Sequence, residues 1–183
     1  MKKLTKKLSA FSLIEVSIAL VIIGLMVGGA LKGKQLIRSA RLNNTVQQMQ
    51  HLQSSMTSYF DANQTYPGGD LTNQQQVWID LANFEGTEKP EAESPKAKVG
   101  GRVKLIRDLD GLQGHWLKLA DENDKGVLTP AEAKIFLSKN NEYSTDTGRV
   151  RVLNDSTNHC LNGNRLDLSQ KDRVCIVAVE VVA

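Results

Sequence analysis

The feature that most constrains this chain is an apolar run near its start. From Phe11 to Leu31 the sequence reads FSLIEVSIALVIIGLMVGGAL, 21 residues whose only charged side chain is Glu15. At about 1.5 Å per residue, a helix of that length covers roughly the 30 Å hydrocarbon thickness of a bilayer. The run is therefore long enough to span a membrane. Four lysines, Lys2, Lys3, Lys6 and Lys7, precede it. They account for the formal charge of +3; without them 19 of the 23 basic residues face 20 acidic ones. A nucleic-acid-coating protein is not indicated by that balance.

Three fates compete for such a segment. A secretory signal would place its apolar region from about Ser17 and be cut after a small-residue site such as Gly28-Gly29-Ala30. An uncleaved signal anchor would leave a tethered periplasmic binding or enzymatic domain. Neither accounts for Glu15, because a carboxylate in a membrane helix costs about 2.5 to 3.5 kcal/mol on insertion scales and requires a partner. The string KKLSA followed by FSLIEVSIALVIIGLMV resembles the cleavage and methylation motif of prepilins, the precursors of type IV pilins and type II secretion pseudopilins.

That resemblance implies specific roles. Residues 1–10 would be a leader ending at Ala10, and Phe11 would become the N-methylated amino terminus of the mature chain. Glu15 would be the membrane-buried acid that pairs with the amine of a neighbouring subunit. The implied partners are prepilin peptidase, other pilin or pseudopilin subunits, an inner-membrane assembly platform and the membrane itself. The implied role is a fibre-building subunit and not an enzyme. Ala10 stands where the family usually has Gly, and Lys32 stands near its frequent kink proline, while Gly24 matches a common glycine. These departures lean toward a minor or pseudopilin component. The implied location is the bacterial inner membrane, single-pass, with a periplasmic head.

Beyond Leu31 a helical period continues through Leu42, Val46, Met49, Leu52, Met56 and Phe60, with Asn and Gln on the other faces. Tyr66-Pro67-Gly68-Gly69 cannot extend it, so the helix is expected to end between Ala62 and Thr65. The division expected is therefore a leader over 1–10, a spanning half over 11–31, an amphipathic half over 32–66 and a globular head over 67–183. Within the head, residues 71–84 suggest a short helix and Glu85 to Lys98 a charged loop. Strands are expected at Arg102–Ile106, Gly148–Leu153 and Arg173–Val182. The fold class is α+β: a long helix, its second half packed on a small antiparallel sheet, as the resemblance also implies.

Asp121-Glu-Asn123-Asp-Lys125-Gly126-Val-Leu128-Thr129-Pro-Ala-Glu132 has the spacing of an EF-hand loop, with Asp121, Asn123 and Glu132 as candidate calcium ligands. Lys125 sits where that loop needs an oxygen donor. Thr129-Pro130-Ala131-Glu132 reads alternatively as a capping box that starts a helix, leaving Asp121 to Gly126 as a polar turn. Cys160 and Cys175 read as a disulfide, a metal pair or two separate thiols; an exported head meets an oxidising compartment, which favours the disulfide. His51, His115 and His159 are not grouped with further ligands, so no metal site and no cofactor is expected beyond that calcium candidate. No phosphate loop, HExxH or GxSxG occurs. The interleaved Arg149, Arg151, Arg165, Lys171, Arg173 and Asp146, Asp155, Asp167, Asp172 read as a mixed solvated surface, with no nucleic acid expected.

Overall fold

A computed structural model describes residues 12–69, 71, 73–87, 93–155 and 159–181. Helix α1 runs from Leu13 to Asn63, ending inside the expected window. The chain forms two compact units, Met1–Ala40 and Arg41–Ala183. In the first, Leu13, Ile14, Ile18, Leu20, Leu25 and Met26 are among many large apolar side chains left exposed. This stretch makes α1 long and apolar enough to cross a membrane.

The second unit takes in α1 from Arg41 onward, because Leu42, Val46, Met49, Leu52 and Met56 recur every three or four residues and are all buried in the main core. The second half of α1 thus packs on the sheet, as its apolar stripe leads one to expect. One polar residue enters this stripe. Thr45, fully buried, donates its hydroxyl to Arg41 O at 2.9 Å and accepts from Val99 N–H at 3.2 Å, so nothing polar is left unpaired there.

After α1 the chain reverses at Gly68, whose φ of +77° and whose closeness to Val77 both exclude a side chain. Helix α2 spans Gln74–Phe84 with Asn73 as its cap and buries Val77, Trp78 and Leu81. Strand β1 (Arg102–Leu109) turns back into β2 (Leu112–Ala120), helix α3 (Pro130–Lys139) follows, and β3 (Val150–Asn154) precedes a small hairpin of β4 (Leu161–Asn162) and β5 (Arg165–Leu166). Strand β6 (Cys175–Val181) closes the chain.

The main sheet is antiparallel in the order β1-β2-β6-β3. Strand β6 lies inside it, which is why its residues are apolar on both faces. Val103, Leu105, Leu117, Leu119, Val150, Val152, Val177 and Val179 face the main core together with the α1 stripe. On the other face Trp116, Leu109 and Ala178 form a second small cluster, with the Arg151 guanidinium 5.9 Å from the Trp116 ring centre. The described residues from Ser94 to Val99 remain without helix or extended strand, as expected for that loop.

Strand β2 was not anticipated from the sequence, and β1 reaches three residues further than expected. Both follow from Asp110-Gly111, whose φ values of 47° and 84° make the tight two-residue reversal that joins β1 to β2.

Candidate functional site

The N-terminal site is built on the first turn of α1. Ser12 stands immediately before the helix and Glu15 in its first turn. The Glu15 Oε2 accepts from Ser12 N–H at 2.9 Å, while Ser12 Oγ accepts from Ile14 N–H at 3.3 Å. This reciprocal pair satisfies backbone donors that the helix cannot. It also sets a negative charge against the positive end of the helix dipole. The Ser-x-x-Glu spacing is legible in the sequence and supplies a local reason for Glu15. The processing candidates Ala10 and Phe11 lie outside the described residues.

The calcium candidates are placed as a closed turn followed by a cap. Asp121 Oδ1 accepts from Asn123 N–H at 2.8 Å and from Lys125 N–H at 2.7 Å, and the Asp121 N–H donates to Lys125 O. Glu132 Oε2 accepts from Thr129 N–H at 2.9 Å as Thr129 Oγ1 accepts from Glu132 N–H, a complete capping box with Pro130 at the first turn of α3. Asp124 turns to Lys104 Nζ at 3.3 Å and Lys118 Nζ at 3.5 Å. Burial alone would raise its pKa, but the two lysines outweigh that and hold the carboxyl below its ordinary range. Glu122 lies 3.5 Å from Arg102 Nε, so the acids of this segment already face backbone donors, lysines or an arginine. Among the described residues no three His, Cys, Asp or Glu converge as a metal site would require.

The glycine of that segment also has a local explanation. A Cβ on Gly126 would lie 2.7 Å from Val174 Cα and closer still to the Val174 carbonyl carbon and Cys175 nitrogen. Gly126 is there because the entry to β6 passes against its backbone. Cys175 is bonded to Cys160, both fully buried, with Cα atoms 5.0 Å apart. The disulfide anchors the β4–β5 hairpin, whose flank is held by Asp167 N–H donating to Cys160 O, to an inner strand of the sheet.

Residues 5–31 match the family model described as the prokaryotic N-terminal methylation motif. This is a prepilin-type N-terminus. The matched segment takes in Lys6 and Lys7, runs to the end of the apolar run and leaves the head unassigned. Comparisons with curated proteins and with solved structures return no match. The prepilin-type signature implies processing by prepilin peptidase and association with other such subunits, and the apolar helix is consistent with membrane anchoring. Proteins with this signature are structural.

Proposed function

We propose that this chain is a fibre-building subunit, cut between Ala10 and Phe11 and assembled through α1 into a type IV pilus or a type II secretion pseudopilus. The observation that carries the reading is the prepilin-type match over residues 5–31 with Glu15 as the only charge in the apolar run. Cleavage leaves a positive amine on Phe11. In a low-dielectric environment that amine and the Glu15 carboxylate of a neighbour attract strongly, and each removes the cost of burying the other. The pairing sets the axial register of one helix on the next. The head faces the periplasm, where a disulfide persists. Ala10 and Lys32, in place of the glycine and proline common in major pilins, support a minor or pseudopilin position.

The two roles of Glu15 separate by substitution. Glu15→Gln keeps a side chain able to accept from Ser12 N–H, whereas Glu15→Val does not; both remove the charge. Both variants are expected to be processed and neither to assemble, as counted by electron microscopy of fibres sheared from cells. Normal fibres from Glu15→Gln would leave Glu15 a helix cap only and overturn the pairing.

A further inference from the structure

Between Glu15 and Asp61, helix α1 contains no carboxylate; its charged side chains there are Lys32, Lys34, Arg38 and Arg41. The rest of the chain mixes signs, so this is a local excess. It begins at the residue directly after Leu31, where the apolar run ends. Lys32 and Lys34 are exposed, and among the described residues neither meets a carboxylate. Lys34 and Arg38 stand four apart, on one side of the helix. Like charges at that spacing weaken a helix slightly, and a nearby anion offsets the repulsion.

Depth along the helix points to the anion. The apolar run fills a hydrocarbon core of roughly 30 Å, and the headgroup region adds roughly 5 to 8 Å beyond it on each side. At about 1.5 Å per residue, Lys32 and Lys34 fall inside that layer, while Arg38 starts roughly 3 to 5 Å beyond it, a gap its long side chain spans. We propose that Lys32, Lys34 and Arg38 form a binding site for the phosphates of anionic phospholipids in the leaflet on the head side of the membrane. Juxtamembrane lysines and arginines gain attraction to such lipids charge by charge.

The site rests on reading α1 as a membrane span. It has a consequence for assembly: once the leader and its four lysines are removed, nearly all the positive charge flanking the span lies at the head end. The subunit is then held in the membrane by the contacts it must release to enter a fibre.

The test uses the full chain in mild detergent, with phosphatidylglycerol and phosphatidylcholine of identical acyl chains at equal concentration and native mass spectrometry as the readout. Phosphatidylglycerol adducts are expected to be retained about tenfold or more over phosphatidylcholine. Lys32→Gln/Lys34→Gln/Arg38→Gln should abolish that preference, and the charge-conserving Lys32→Arg/Lys34→Arg/Arg38→Lys should keep it. Lys98→Gln/Lys125→Gln/Lys139→Gln on the head should also keep it. Equal retention of the two lipids by the unaltered chain, or an undiminished preference in the glutamine variant, overturns the proposal. Lost assembly in the glutamine variant without any lipid preference in the unaltered chain would instead assign these cations to a protein carboxylate, and likewise overturn it. The same spectra give the mass of the chain, so an unprocessed N-terminus with intact preference would sink the fibre reading and leave the lipid site standing.

Discussion

Replacing Gly126 with alanine should destabilise the head severely, although the substitution adds one methyl group to a partly exposed loop. The methyl carbon would sit 2.7 Å from Val174 Cα and nearer to two further backbone atoms of the β6 entry. Neither wall can yield cheaply. Val127 N–H and Leu128 N–H donate to Cys175 O at 3.2 and 3.3 Å, and Val174 N–H and Cys175 N–H donate to Leu128 O at 3.0 and 2.9 Å. Cys175 is also tied by its disulfide. Opening a gap for the methyl group breaks several of these hydrogen bonds, each contributing about 1 kcal/mol, so the total is about 3 kcal/mol or more. For a unit of this size that lowers Tm by roughly 10 °C. Thermal unfolding of the full chain in detergent, followed by circular dichroism, measures it. A Gly126→Ala protein within about 3 °C of the unaltered chain would refute the close approach. Millimolar calcium should neither rescue the variant nor raise the Tm of the original, because the acids of this loop already have partners; a rise of several degrees would restore the calcium reading.

Two further outcomes follow from the head. Cys160→Ala/Cys175→Ala should cost about 3 kcal/mol, from the chain entropy of a loop with a sequence separation of 15; a loss under about 1 kcal/mol in denaturant unfolding would contradict that. His115 stacks on Tyr66 with ring centres 3.5 Å apart, and its pKa is lowered by burial first and by Arg107 second, with Asp108 opposing. Its unfolded form therefore binds a proton more readily, so stability should fall as pH drops below about 6.5 toward the lowered folded value. His115→Phe should lose less Tm than the original between pH 7.5 and 5.5, and an equal loss would remove His115 as a source of the dependence.

Much of the fold could be read from local chemistry. The helix end at Asn63 follows from Tyr66-Pro67-Gly68-Gly69, and the start of α3 from Thr129-Pro130 with Glu132. The apolar β6 was legible as a buried strand, but its neighbours were not, since strand order depends on contacts between distant segments. Strand β2 was missed although Asp110-Gly111 is a strong hairpin signal, because Gly114 and adjacent Trp116-Leu117 interrupt simple alternation. Trp116 faces the sheet side away from α1, and only the assembled sheet with Arg151 over the ring explains it. The EF-hand spacing of Asp121 to Glu132 coincides with two local devices, a turn closed by Asp121 and a capping box. The need for glycine at 126 comes from the backbone at the entry to β6, almost fifty residues later, which local sequence does not show. At the N-terminus the lone charge of Glu15 is legible in the sequence, whereas its bond to Ser12 N–H depends on the helix starting at Leu13.

The central claim is that this prepilin-type chain matures at Phe11. Intact mass and N-terminal sequencing of the protein purified from its native membranes test it most directly. The account predicts a chain lacking residues 1–10, beginning at Phe11 with one methyl group on its amine. A chain still beginning at Met1, or one beginning at Leu31 after conventional signal cleavage, would contradict it.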